Sequence, residues 1–174
     1  DSLSNRSHSR SNGHDLNVGV NYSDDTWMFN ASLGVTPQRR TIDRKVGKLY
    51  ADTAMNMIDF QPMIWMSWRK KEMRVSLNYN GNTRQPSLSD LMPLTDNSNP
   101  LYITRGNPDL KQMFSHNIRL NFQNSPKGIS ANLGGQVEQN SVTQVMIYDV
   151  QTGGRETYPV NINGNWNLSG GASW

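Results

Sequence analysis

Apolar and polar residues alternate with a period of two along most of this chain, which is the pattern of half-exposed β-strands rather than helices. Leu16, Val18, Val20 and Tyr22 alternate with Asn17, Gly19 and Asn21. Trp27, Phe29, Ala31, Leu33 and Val35 do the same with Met28, Asn30, Ser32 and Gly34. Further on, Ile58, Phe60, Ile64, Met66 and Trp68 share one face, opposite Asp59, Gln61 and Ser67. The pattern returns in Met73–Asn80, in Asn117–Phe122, in Ile129–Glu138, and in a last strand running from about Glu156 to Trp174. The chain thus reads as about seven long strands, each with one apolar and one polar face. The third strand is less regular. Met63 and Trp65 fall on its polar face, and Pro62, which has no N–H to donate, falls on its apolar face, so a bulge or local break is expected there.

The connections alternate in length. Those at Asp24, Arg69 and Gln123–Lys127 are short; those at 37–56 and 85–110 are long, and the one around Asp149–Glu156 is intermediate. If each strand pairs with its sequence neighbour, the short turns gather at one end of the sheet and the long loops at the other. That asymmetry is typical of outer-membrane barrels.

Composition narrows the field. At 174 residues the chain suffices for one domain, and nothing in it suggests a linker to a second. The net charge of +3 does not point to a nucleic-acid partner, and the basic residues gather in part at 39–48 and 69–71 rather than in one stripe. With no cysteine there is neither a disulfide framework nor a thiolate metal site. Mean hydropathy is −0.71 and no apolar run approaches the roughly 20 residues of a membrane helix, which leaves a β-strand crossing open. No signal peptide opens the sequence, and it reads as a mature or excised piece.

Two architectures remain: a transmembrane barrel, and a soluble surface-exposed β-sandwich that binds glycan or protein. Three features favour the barrel. The polar faces are built of Asn, Ser, Gly and Gln; the strands exceed the usual 5–6 residues; and Tyr22, Trp27, Trp68 and Phe122 gather near the short turns, as an aromatic girdle would. The expected fold is all-β: an antiparallel up-and-down meander, 1–174, forming a slice of a larger transmembrane barrel. In it the polar face would line the lumen, with Asn78, Asn80, Asn117, Arg119, Asn121, Asn132, Gln136, Asn163 and Asn165 as lumen-facing candidates. Arg119 and Glu138 would pair across strands or meet a partner inside the barrel.

The stretch 79–122 then carries a resemblance. Arg84, Pro86 and Ser87 end one strand, Leu91 follows in the loop, and Gly106, Asn107, Pro108, Leu110 and Lys111 precede the next strand. Two such motifs in this order resemble TonB-dependent outer-membrane receptors and their relatives. Gln112 and Met113 depart from the Pro-Glu usual after the lysine. The resemblance implies TonB-energised uptake of an unidentified nutrient ligand across the outer membrane of a Gram-negative bacterium. It also implies outer-membrane lipid as one partner, and a plug domain and TonB as others, through parts not in this chain. Such barrels have about 22 strands, so Trp174 is expected to mark a truncation, and an isolated slice, with open edges, is expected to self-associate. The loop itself is expected to be ordered: Pro86 stops the strand, Ser87 or Ser89 caps a helical turn, and Gly106-Asn107-Pro108 forms a turn.

No catalytic constellation, metal site or cofactor motif emerges. His8, His14 and His116 are scattered, Asp24-Asp25 reads as a turn, and Gly153-Gly154 reads as a hairpin with no helix after it. The glycosylation-like triplets at Asn21, Asn30 and Asn167 lie inside strands. The basic residues from Arg39 to Lys48 form a solvated loop or meet an anionic lipopolysaccharide or ligand.

Overall fold

The computed structural model describes residues 5–46, 49–92, 95–99 and 101–174. It contains β1 (Asn5–Gly13), β2 (Leu16–Ser23), β3 (Trp27–Val46), β4 (Leu49–Lys70), β5 (Met73–Arg84), α1 (Leu88–Leu91), β6 (Thr95–Asn99), β7 (Tyr102–Arg105), β8 (Met113–Asn124), β9 (Ile129–Gln139), β10 (Ser141–Tyr148), β11 (Arg155–Ile162) and β12 (Asn165–Ser173). One antiparallel sheet runs β1-β3-β4-β5-β8-β9-β12, with β2 also on β3; a second, smaller sheet runs β10-β11-β7-β6. No helix among the described residues is long and apolar enough to cross a membrane, which does not bear on crossing by strands.

Register makes the large sheet two-faced. Val20 pairs with Ala31, Ala31 with Ile64, Ile64 with Tyr79, Tyr79 with Ile118, Ile118 with Gly135 and Gly135 with Leu168. One step along, Ser32 pairs with Met63, Met63 with Asn80, Asn80 with Asn117, Asn117 with Gln136 and Gln136 with Asn167. Because side chains alternate between faces, a constant register carries each strand's apolar set onto one continuous surface. On β3 the apolar band extends from Trp27 to Val35, ~26 Å of strand at about 3.3 Å per residue and ~20 Å in height at a barrel's usual tilt.

The apolar face lies bare. Val18 is 77% exposed, Trp166 72% and Leu168 64%. The buried apolar side chains among the described residues are Leu91, Met92, Leu110 and Met113, together with Pro86 and Pro159, and they lie under the long loops. A soluble sandwich covers its apolar face with a second sheet. The four-stranded sheet here instead continues outward from the long-loop end, so the sandwich alternative fails.

The turns follow the expected alternation. At one end lie the tight turn at Asp24, the two-residue turn Lys71–Glu72, and a single 3-10 turn, Ser125–Lys127, closed by Gly128 at φ 64°. At the other end the structure departs from expectation. The connection at 37–56 is mostly ladder, with β3 and β4 paired from Pro37↔Ile58 to Val46↔Leu49. β1, not anticipated, extends the edge: it and β2 meet β3 in one register, Gly13 opposite Gln38 and Leu16 opposite Val35. The break between them falls where Pro37 has no N–H to give; the His14 N–H still donates to the Pro37 carbonyl at 3.1 Å. The expected last strand is two strands, β11 and β12, split at Asn163–Gly164, where Gly164 takes φ 99°.

Pro62 causes no bulge. Its pairing with Leu33 is in register, while the β4–β5 ladder ends at Met63↔Asn80. Beyond that point the Thr83 hydroxyl substitutes for ladder bonds, accepting from the Phe60 N–H at 2.8 Å and donating to the Phe60 carbonyl at 3.2 Å.

Candidate functional site: the polar face and its outer latch

Of the polar candidates, Asn78 and Asn80 on β5, Asn117, Arg119 and Asn121 on β8, Asn132 and Gln136 on β9, and Asn165 on β12 share the polar face. They are adjacent across strands: Asn78 opposite Arg119, Asn121 opposite Asn132, and Asn165 opposite Glu138. Asn163 stands apart, between β11 and β12, where its side-chain oxygen accepts from the Asn140 N–H at 2.8 Å. It closes the hairpin's waist rather than extending the strand row.

Two concavities open on this face. One, of about 530 Å³, is lined by Asn78, Asn80, Asn117, Arg119, Gln136, Asn167 and Ser169 among others. The other, of about 520 Å³ and nearer the long loops, is lined by residues including Asn17, Gln61, Arg84, Ser115 and Glu138. Gln136 donates to Glu138 at 3.0 Å, and the Ser141 hydroxyl donates to Glu138 at 2.9 Å. Glu138 is therefore engaged by near neighbours on β9 and at the start of β10 and forms no ion pair with Arg119; of the two roles expected for these charges, the cross-strand pair is absent among the described residues. Arg119, Asn78 and Asn80 line the first concavity. Such a surface offers many weak, uncharged hydrogen bonds, the guanidiniums of Arg119 and Arg84, and the Glu138 carboxylate. It has no nucleophile–base pair, and no cluster of metal-binding side chains exists among the described residues.

Above this face the described residues of the Arg84–Lys111 loop form a latch. Ser87 caps α1, accepting from the Asp90 N–H at 3.2 Å. Leu91 and Leu110 are buried, and Pro86 is buried beside them. Gly106 passes so close to the chain that a Cβ there would lie 1.9 Å from the Met92 carbonyl oxygen. Asn107 explains its place in the motif. Its N–H donates to the Asp90 carbonyl at 2.6 Å, its side-chain amide to the Pro159 carbonyl at 3.0 Å, and its side-chain oxygen accepts from the Asp109 N–H at 3.0 Å. Pro108 and Arg84 are exposed.

The partner of the latch is the β10–β11 hairpin, and sequence reasoning missed it. Asn161 accepts from the Lys111 N–H at 2.8 Å and donates to the carbonyls of Lys111 at 3.0 Å and Asn140 at 2.8 Å. β7 adds to β11 in parallel, Glu156 opposite Ile103. Arg105 bonds Glu156 at 2.6 Å and stacks 4.6 Å from the Tyr158 ring; Arg155 stacks 4.4 Å from Tyr102. Nothing in the sequence marks Asn161 out from the other strand asparagines.

Turn carboxylates are held ionised at both ends. The Tyr22 hydroxyl and then the N–H groups of Trp27 and Thr26 bring Asp24 below the ordinary carboxylate range. The Thr152 hydroxyl and the Gln151 N–H do the same for Asp149.

An antiparallel sheet with an apolar face that no second sheet covers, an Asn-rich polar face, short turns at one end and latched loops at the other is the wall of a transmembrane β-barrel. Residues 49–173 match the model of the outer membrane protein beta-barrel family, and the chain belongs to that family. Its place is accordingly the outer membrane. No curated protein and no solved structure matches the chain.

Proposed function

We propose that this chain is part of the wall of a TonB-dependent receptor in the outer membrane of a Gram-negative bacterium, importing a scarce nutrient without chemical change. The observation that supports this reading is the latch between Arg84 and Lys111, whose Pro86-Ser87 and Gly106-Asn107-Pro108 elements have structural work to do and resemble that receptor family. In this reading the apolar face meets lipid and the Asn-rich face lines the lumen around a plug. The latch with its small sheet frames the outer mouth. A lumen of amides suits a polar ligand that must bind and then leave, since neutral hydrogen bonds contribute only ~1 kcal/mol each.

The test uses the intact receptor in cells. Uptake of its nutrient should stop when the proton gradient is collapsed or the TonB-contacting segment is removed. Uptake that continues unchanged would exclude energised transport and leave a passive pore.

A further inference from the structure

At the short-turn end, cross-strand pairing sets like charges face to face. Arg69 on β4 stands directly opposite Arg74 on β5, and both are exposed. Opposed like charges destabilise an antiparallel ladder. Neither guanidinium has a carboxylate partner among the described residues, where the ion pair is Arg105 with Glu156. The nearby acids do not relieve them: Glu72 and Asp25 stay out of ion-pairing range, and Asp24 is committed to Tyr22 and its own turn. Between the two arginines, Lys71 holds φ 52° in a two-residue turn. That backbone position favours Gly or Asn, so a cation stands where turn chemistry alone would place a small residue. A concavity of about 320 Å³ is bounded by Arg69, Lys71, Glu72, Arg74, Gln123 and Ser125.

Face parity identifies the medium. Arg69 shares its face with Ser67 and Trp65, and Arg74 with Ser76 and Asn78, which is the polar face. Lys70 falls with Trp68 on the apolar face. Bilayer headgroups therefore meet Lys70, while the arginine pair faces the inside of the barrel.

We infer that Arg69, Arg74 and Lys71 form a carboxylate-binding site at the inner mouth, seating an acidic polypeptide segment. This rests on the reading of the polar face as lumen. Directly opposed side chains start about 5 Å apart, and alternate residues of an extended segment lie ~6.6 Å apart. Two acidic residues spaced i, i+2 thus reach both guanidinium forks, each of which can accept a carboxylate bidentately.

The experiment uses the intact barrel in detergent and a fluorescent Glu-Gly-Glu-Gly-Glu peptide. Saturable binding that weakens with salt is expected. Arg69→Gln and Arg74→Gln should each weaken it by about tenfold. Arg74→Lys, which keeps the charge and loses the fork, should weaken it less, and Lys70→Gln should leave it unchanged. Circular dichroism confirms that each variant is folded. Two results overturn the site: no saturable binding by the parent protein, or equal binding by the arginine variants. A loss of preference for phosphatidylglycerol nanodiscs in those variants would assign the cations to lipid instead. The lumen reading is tested separately with a bimane at Arg69→Cys and at Lys70→Cys in brominated lipid. Quenching only at position 70 upholds it. Quenching at position 69 sinks the face assignment itself, whereas an unquenched position 69 without peptide binding sinks the inference alone.

Discussion

The wall and the latch are built from the same few residue types, yet they are held together differently. In the wall, backbone ladders run in constant register and the apolar side chains are exposed or half-buried, none of the buried apolar side chains lying in mid-strand on that face. In the latch, Leu91, Met92, Leu110 and Pro159 are buried, and single side chains bind particular carbonyls. The difference reflects two solvents. Lipid satisfies an apolar face without any partner side chain, but leaves every backbone group to be paired by the strands. Water outside the membrane requires a small core and caps.

The largest test of that contrast falls on the wall. Ile118 lies in the middle row of the apolar face, so Ile118→Arg should cost about 2–4 kcal/mol of barrel stability. Asn121→Arg, three residues on and on the other face, should cost well under half as much. Urea unfolding of the intact barrel in lipid vesicles measures both. Equal costs would mean that the two faces meet the same medium.

Gly106→Ala attacks the latch. The added Cβ would meet the Met92 carbonyl, a backbone group that moves only if the loop moves. A loss of about 1–3 kcal/mol is expected, confined to the latch. Hydrogen exchange should quicken across 88–112 and 141–162 while β5 and β8 keep their protection. Exchange that quickens in β5 and β8 as well would show that latch and wall fold as one unit.

The same contrast explains what the sequence could disclose. A wall residue such as Leu120 or Asn121 reports the face it belongs to, apolar or polar, so alternation alone located most wall strands and their faces. Of the bulge or local break expected at Pro62, only the break occurs and only toward β5, where Thr83, 21 positions later, compensates. In the latch, meaning lies in pairs far apart in the chain. Asn161 holds Lys111 across 50 positions and Asn107 holds Pro159 across 52. The Gly-Asn-Pro motif was visible, but its partner strand was not, because an asparagine that clamps a backbone and one that lines a lumen look alike. The extension of β3 and β4 beyond the apolar band was hidden for a related reason: in 38–45 Ile42 is the one apolar residue, so no alternation shows there.

Asn161→Ala separates clamp from wall more gently. It removes bonds to the Lys111 N–H and to two carbonyls, of Lys111 and Asn140. A cost of about 1–2 kcal/mol is expected, again read as faster exchange in the latch. Asn163→Ala loses one bond, to the Asn140 N–H, and should cost about 1 kcal/mol or less.

The smallest effect is one of pH, and it sets the two regions side by side. Asp149, in the turn joining β10 to β11, and Asp24, in the turn joining β2 to β3, both have carboxylates held below the ordinary range by hydroxyl and N–H donors. A lowered native value means that the unfolded turn binds its proton first as pH falls. The stabilisation is thus complete above the ordinary carboxylate pKa, about 4, and drains away below it as the native group is itself protonated. Both carboxylates are fully exposed, so solvent screening keeps the effect small. Its consequences should still differ. The tip at Asp149 is anchored by turn contacts and the adjoining strands in water, so its amides at Gln151 and Gly153 should exchange faster as pH drops from about 5 to 2, after correction for intrinsic rates. The turn at Asp24 is pinned by Trp27, which tilts against Trp68 at a centroid distance of 6.4 Å, and by the Arg69 N–H on the Thr26 carbonyl at 2.8 Å. Its amides should stay protected over the same range. Asp149→Asn should abolish the pH response at the outer tip and leave the inner turn untouched. If the inner turn loosened first, the girdle would not be the anchor, and the stability attributed to the wall would have to come from the lumen side.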